Sequence, residues 1–475
     1  MSEILKSLDL QKSIPQINIP HIHMPHIDIP QWDINKWRGW SRMNRLILIG
    51  NGFDMAHGLH TSYPDFLRWY WKLRMDELCK TGNRISRDNL CELKLYSHSR
   101  YSSWANLIEQ NITFQNMTWE ERLDYIKRSK DECQYNPSAL LRRIDTDFEH
   151  KGWVDIEESY YKLLVYYVME SNISKDAAHK AVINLDQQLA ELQVYLIKYL
   201  RTMPLSSDLR SISIMEQIYS PIKRNEVTVK QRNNYDEYLQ YLIKGRKESL
   251  IKFLSPYITS DFDIDSVLAA SKALQEGDVA EANARFSPKE YEKIAFPTHT
   301  MLLSFNYTDI VQLYAPDLEL ATINYIHGKL DDPKTIIFGY GDEIDGSFKK
   351  IQNENDNTYL KNVKSIRYLE DNSYQNLLQF IESAPFQVCI MGHSCGISDR
   401  TLLNTIFEHE NCVSVKPYFY KKDDGSDDYI NIVQNISRNF SNMKKMRERV
   451  VNKTNCTPLG CMKSQLDCLV SDLTP

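Results

Sequence analysis

A glycine turn that directly follows an apolar run is the clearest candidate for chemistry in this chain. The run Arg45-Leu-Ile-Leu-Ile ends at Gly50, and Gly52 and Asp54 follow within four residues. Such a run is typical of a parallel strand covered on both faces, and glycines at its carboxyl end let backbone amides approach a phosphate. The turn therefore predicts a nucleotide site. Because Gly58 comes too late for a full dinucleotide fingerprint, a plain strand–turn–helix is the alternative.

Four later apolar runs also end in small groups of polar residues. In open α/β sheets, ligands bind outside the carboxyl ends of the strands, so side chains from several strand ends converge on one crevice. Taken singly, each polar residue has a structural alternative, such as a loop bond, a turn or, for Asp54 and Asp399, a helix cap. Together they predict one site built from Phe305-Asn306-Tyr307-Thr308-Asp309, His327-Gly328, Gly339-Tyr340-Gly341-Asp342 and Gly392-His393-Ser394.

The periodicity of the chain predicts an α/β domain that is interrupted by an insertion. Residues 43–75 form its first strand–turn–helix, and apolar residues in 76–295 recur mostly at helical spacing. Residues 296–440 complete the domain, and 441–475 form a tail. We expect a doubly wound, mostly parallel sheet with a large all-helical insertion. The later strands are predicted at 301–303, 322–326, 335–338, 386–391 and 414–420.

Composition indicates a folded, water-soluble protein. A net charge of −6 over 475 residues gives no general attraction to nucleic acid or anionic lipid, so neither is expected as a partner. No run reaches the roughly eighteen apolar residues that span a bilayer, and proline interrupts the first thirty residues, so we expect a cytoplasmic protein. Nine cysteines without a CxxC pair predict free thiols, and no metal is expected.

Residues 1–42 carry a short repeat with a proline every five positions. Proline at this spacing excludes a helix and a central strand, so we expect an extended appendage that docks elsewhere or stays mobile. The compact part of the chain is then expected to begin at Met43. The repeat prolines are Pro15, Pro20, Pro25 and Pro30.

An ordered set of motifs over about residues 44–440 resembles the bacterial AbiH family of phage abortive-infection proteins. The resemblance implies an antiphage effector with a phage-derived trigger of unknown identity, and a homo-oligomer is compatible with it. A Trp-acidic segment, residues 153–157, also resembles a motif of that family. The motifs are Gly50-Asn-Gly-Phe-Asp54, Ala56-His57-Gly58-Leu59, Thr61-Ser62-Tyr63, Phe305-Asn306-Tyr307-Thr308, Ile326-His327-Gly328, and Gly392-His393-Ser394 with Ser398-Asp399.

These motifs are in turn distantly similar to the Rossmann-like, sirtuin-like fold, in which a glycine turn, an Asn strand end, a His before Gly and a Gly-x-Ser turn surround NAD. By this resemblance His327 is the general base, and Asn306 positions water or the nicotinamide ribose, with Asp309 as the nearby acidic residue. Asn51 and Asp54 depart from the sirtuin-like turn, and a carboxylate near phosphates repels them, so the ligand stays open. The residues expected to bind the ligand are Gly50, Asn51, Gly52, Asp54, Gly392, His393, Ser394 and Asp399.

The leading hypothesis is an effector that binds a nucleotide and hydrolyses NAD on infection, with NAD as substrate or ligand. The first alternative is a nucleotide-sensing module that is not catalytic and acts through its helical insertion or a partner. The second is a metal-dependent nuclease or nucleotidyl enzyme that uses Asp54, Asp155, Glu157 and Asp309 with a divalent cation.

Overall fold

The computed structural model describes residues 42–129, 131–151, 155–245, 292, 295–315 and 321–460. The proline repeat and Trp153 lie outside the described residues. The chain divides into two compact units. The first contains His60–Pro204 and Ile337–Arg367, and the second contains residues 42–59, the described part of Leu205–Ile336, and residues 368–460.

The described strands form one sheet in each unit. The second unit has a five-stranded sheet of order β6-β5-β1-β7-β8 in which all neighbours are parallel. The first unit has the antiparallel sheet β2-β3-β4. The strands are β1 (Asn44–Ile49), β2 (Ile85–Arg87), β3 (Cys91–Leu95), β4 (Cys133–Pro137), β5 (Thr300–Ser304), β6 (Ala321–Tyr325), β7 (Phe386–Met391) and β8 (Cys412–Tyr418).

The helices of the first unit are α2 to α8, α11 and α12, and the other helices belong to the second unit. In chain order they are α1 (Asn51–Ala56), α2 (Tyr63–Leu78), α3 (Trp104–Gln110), α4 (Ile112–Asn116), α5 (Trp119–Arg128), α6 (Ala139–Lys151), α7 (Ile156–Val165), α8 (Lys175–Leu200), α9 (Ile212–Ile218), α10 (Arg232–Gly245), α11 (Gly346–Asn353), α12 (Lys364–Arg367), α13 (Ser373–Ser383), α14 (Arg400–Glu408), α15 (Tyr429–Arg438) and α16 (Met443–Arg449). Among the described helices, none is both long and apolar enough to cross a membrane.

The parallel sheet confirms the prediction of a mixed α/β fold. Every residue of β1, β7 and β8 is buried, and the apolar runs 46–49 and 388–391 lie in two of these strands. β1 lies at the centre, with β5 and β7 as its neighbours. The chain runs outward from β5 to β6 on one side and from β7 to β8 on the other, so the connections diverge around β1. In open α/β sheets such a divergence is the place where a ligand site is expected, at the carboxyl ends of the central strands.

Two parts of the fold prediction are wrong for the described residues. The segment predicted as an all-helical insertion contains the β2-β3-β4 sheet. In β3, Cys91, Leu93 and Leu95 alternate with half-buried Glu92 and Lys94, which is the period of a strand with one covered face. The strand predicted at 335–338 is also absent from both sheets. Its apolar residues follow a short 3₁₀ turn, Pro333–Thr335, and are buried without forming a strand.

Candidate functional site

The turns that follow β1 and β7 pack against each other through their glycines. The Gly52 amide donates to the Gly392 carbonyl at 2.8 Å, and the Gly50 amide donates to the Met391 carbonyl at 3.2 Å. Gly392 has a φ of +76°, and a Cβ there would lie 2.0 Å from the Phe53 nitrogen. Glycine is therefore required for this contact. A phosphate at these amides would have to replace their present carbonyl partners.

Asp54 is buried at the carboxyl end of β1 and is held by side chains that follow β5. Asp54 is only 1% exposed. The Asn306 amide donates to Oδ1 and the Thr308 hydroxyl donates to Oδ2, both at 2.6 Å. Asn306 also donates to the Gly50 carbonyl at 3.0 Å. Asp54 is therefore not the cap of α1. Charge-assisted hydrogen bonds such as these contribute about 1.5–3 kcal/mol each to stability.

A second buried carboxylate, Asp399, lies between two imidazoles. Its Oδ1 atom is 3.3 Å from His327 Nε2, and its Oδ2 atom is 3.6 Å from His393 Nε2. His327 and His393 are only 4% and 6% exposed. Asp399 stands at the start of α14, yet its side chain accepts no capping hydrogen bond from that helix. These three residues form what we call the imidazole–carboxylate group.

The hydrogen bonds around His393 fix its tautomer. The Cys395 amide donates to His393 Nδ1 at 3.0 Å, so Nδ1 carries the lone pair and the ring proton is on Nε2, facing Asp399. Asp399 Oδ1 and the Tyr368 hydroxyl both face His327 Nε2, and because a carboxylate can only accept, the proton is favoured on that nitrogen. The basic lone pair of His327 is then on Nδ1. This arrangement of an acid–base histidine and an orienting carboxylate is suited to general base catalysis.

The loop that carries His393 is strained and held from outside. Gly392 and Cys395 both have left-handed backbone angles, with φ of +76° and +53°. For a non-glycine residue such as Cys395 this costs about 1–3 kcal/mol. Two asparagines hold the loop, since Asn439 donates to the Cys395 carbonyl at 2.8 Å and Asn435 donates to the Ser394 carbonyl at 2.9 Å.

Aromatic rings fix the planes of the two imidazoles. Phe305 contacts both, with ring-centre distances of 5.1 Å to His327 and 4.1 Å to His393. Tyr368 stacks parallel to His327, and its hydroxyl lies 3.2 Å from His327 Nε2. Phe305 and Thr308 were quoted in the motifs without a role, and Tyr368 was missed because it stands in no motif.

The remaining predicted residues are placed differently. Asp309 lies beside Tyr325 and Asp331, and burial is the main cause that raises the pKa of its carboxyl. Asn51 and the Ser394 side chain are exposed. The segment from Gly339 to Asp342 belongs to the first unit, so the site described above is built from the other three predicted strand ends and the glycine turn.

The acidic residues of the nuclease hypothesis have protein partners. Asp155 caps α7 by accepting from the Glu158 amide at 3.0 Å. Glu157 accepts from Lys364 at 2.7 Å. Within the described ranges, no three His, Cys, Asp or Glu side chains are grouped as metal ligands would be.

Comparison with known proteins gives one match. The family model described as Bacteriophage abortive infection AbiH matches residues 46–421, which is most of the chain and includes every residue of the site. No curated protein and no solved structure matches the chain.

Proposed function

The chain belongs to the AbiH family, which indicates an antiphage abortive-infection role, and we propose that it fulfils this role by hydrolysing a nucleotide, with NAD as the substrate. The observation that carries this proposal is the imidazole–carboxylate group at the carboxyl ends of the parallel strands. The strand order β6-β5-β1-β7-β8 supports a nucleotide ligand, because it matches the order of doubly wound, Rossmann-like dinucleotide-binding sheets. In its more specific form, the proposal is that this site binds NAD as the sites of sirtuin-like folds do.

His327 acts as the general base. In NAD hydrolysis water attacks the ribose carbon that bears nicotinamide, and nicotinamide leaves with the electron pair of the broken bond. The water proton passes to His327 Nδ1, and Asp399 stabilises the imidazolium that forms. His393 Nε2 faces the other oxygen of Asp399 at 3.6 Å and would help to orient this carboxylate.

Asn306 supplies the positioning of water. Its amide nitrogen is bonded to both Asp54 and the Gly50 carbonyl. The atom that Asn306 offers to a ligand is therefore Oδ1, an acceptor for water or a ribose hydroxyl. The negative charge of Asp54 is shared between Asn306 and Thr308, which reduces the repulsion that this carboxylate would exert on a phosphate.

One observation favours a second candidate, a nucleotide-sensing module without hydrolysis. Both imidazoles are almost fully buried, so a substrate reaches them only after the surrounding side chains open. Tight binding of NAD without turnover would favour this candidate.

The test is NAD consumption by the purified chain, with and without lysate of phage-infected cells. We expect turnover by the wild type and a loss of at least about a hundredfold in His327→Gln and Asp399→Asn. His409→Gln is the matched control, because His409 lies at the end of α14, outside the site. If NAD stays intact under every condition, or if the control falls as far as the site variants, the hydrolysis proposal is wrong.

A further inference from the structure

Two segments that carry the site are joined to each other at two places. The segment from Gly50 to His57 contains Asp54, and the segment from Phe305 to Tyr314 contains Asn306. The first junction consists of the hydrogen bonds from Asn306 to Asp54 and to the Gly50 carbonyl and from Thr308 to Asp54. The second is a hydrogen bond between His57 Nε2 and the Tyr314 hydroxyl, in the interior of the second unit.

The donors and acceptors at the second junction can be assigned. Phe53 offers a carbonyl oxygen 2.6 Å from His57 Nδ1, so Nδ1 must carry the ring proton. The Tyr314 hydroxyl oxygen accepts from the Ser211 amide at 2.7 Å, so its own proton points to His57 Nε2. The Tyr314 carbonyl in turn accepts from the Tyr219 hydroxyl at 2.7 Å. His57 is therefore held as the neutral Nδ1–H tautomer.

Packing makes this junction rigid. Phe53 and Tyr314 are fully buried, and His57 is 7% exposed. The Phe53 ring contacts both partners, with ring-centre distances of 4.7 Å to His57 and 5.5 Å to Tyr314. The His57 ring bonds the carbonyl of Phe53, one residue before Asp54, so a shift of His57 moves the helical turn that carries Asp54.

We propose that His57 and Tyr314 are positioning residues for the site, acting through Asp54 to keep Asn306 in place. In its catalytic form this inference rests on the proposed hydrolysis. Neither residue is required to touch the substrate. Loss of the junction leaves the Asp54 and Asn306 side chains intact but lets the helical turn that carries Asp54 move. A displacement of about 1 Å is enough to lower a rate by up to about a hundredfold.

The test compares two tyrosines that each lose a single hydroxyl. Tyr314→Phe removes the donor to His57. Tyr235→Phe is the matched control, because Tyr235 is also fully buried in the second unit and its hydroxyl donates to the Ile222 carbonyl at 2.7 Å. Tyr314→Phe also leaves the Ser211 amide without its acceptor, so we expect the thermal midpoint to fall somewhat more in Tyr314→Phe than in Tyr235→Phe. We expect kcat to fall about tenfold in Tyr314→Phe alone, with KM nearly unchanged.

A second measurement does not depend on NAD. Nitrogen-15 spectra of histidine-labelled full-length protein report the tautomer of each ring, and the resonance missing from His57→Gln identifies His57. The expected signature is a neutral Nδ1–H ring in the wild type, which Tyr314→Phe shifts and Tyr235→Phe does not. Protection of cells in a phage plating assay is expected to fall in Tyr314→Phe and to persist in Tyr235→Phe.

The outcomes separate the inference from the proposed function. If the wild type consumes NAD and Tyr314→Phe matches Tyr235→Phe in kcat, the inference is wrong and the hydrolysis stands. If the wild type consumes no NAD, the hydrolysis is wrong, and the tautomer and plating results decide the inference. A His57 ring protonated on Nε2, or equal protection by the two variants, overturns it.

Discussion

Replacing Gly392 with alanine tests the contact between the β1 and β7 turns, on which the site is built. The new Cβ would lie 2.0 Å from the Phe53 nitrogen and 2.4 Å from the Gly52 carbonyl carbon. These are backbone atoms and cannot rotate away. Since Cβ contacts under 3.0 Å essentially never occur, the turns must separate by at least 1.0 Å.

The cost of Gly392→Ala has two parts. The left-handed backbone at Gly392 adds about 1–2 kcal/mol for any residue with a Cβ. Separating the turns weakens the hydrogen bonds from Gly52 to Gly392 and from Gly50 to Met391, at about 1 kcal/mol each, and opens the packing around Phe53. We expect a total near 4 kcal/mol, which lowers the melting temperature of the second unit by about 12 °C.

Gly425→Ala is the matched control for backbone strain. Gly425 has a φ of +81°, and a Cβ there meets no atom within 4 Å. This variant therefore carries the strain without the collision, and we expect a shift of only about 4 °C. The assay is scanning calorimetry of the whole chain, in which two units can give two transitions. Equal shifts in the two variants would refute the close approach of the turns.

Two further predictions concern buried charge. Lys364→Met removes the ammonium that lies 2.7 Å from the Glu157 carboxylate, and both groups are buried. We expect this variant to destabilise the first unit by about 3–5 kcal/mol in calorimetry. Lys180→Met, at an exposed position, should change the stability of this unit little. Burial lowers the pKa of His57 below 6.5, so the unfolded chain binds a proton more readily than the folded chain. The free energy of unfolding of the second unit should therefore fall as the pH drops below 6.5. In melting curves, His57→Gln should reduce the slope of this free energy against pH by up to about 1.4 kcal/mol per pH unit.

The sequence predicted the parallel sheet well because four of its five strands, β1, β5, β7 and β8, are buried along their whole length. The apolar runs at 386–391 and 301–303 fall within β7 and β5, and the remaining shifts at strand ends are one or two residues. The β2-β3-β4 sheet escaped prediction because its strands have three to five residues and alternate with charged or polar side chains. An apolar run is also no proof of a strand, since residues 336–338 are buried without pairing.

The sequence motifs contain residues that the structure brings together, but they do not show how these residues pair. His327, His393 and Asp399 all stand in the motifs, yet their sequence does not show that one carboxylate serves both rings. The pairing depends on the strained loop at Cys395, which turns His393 toward Asp399. Tyr368 could not be found, because it reaches His327 through folding alone.

The two buried carboxylates of the site have different kinds of partners, and this difference bears on where the proposed acid–base chemistry would occur. Asp54 is bonded to an amide and a hydroxyl, neither of which changes charge near neutral pH. These two contacts hold the position of Asp54 and exchange no proton, so we assign them a geometric role. Asp399 faces two imidazoles, and imidazole is the side chain that most often serves as a general base in catalysis. In the proposed hydrolysis, the proton taken from water would therefore reside in the imidazole–carboxylate group, while the Asp54 side of the site would hold Asn306 in position.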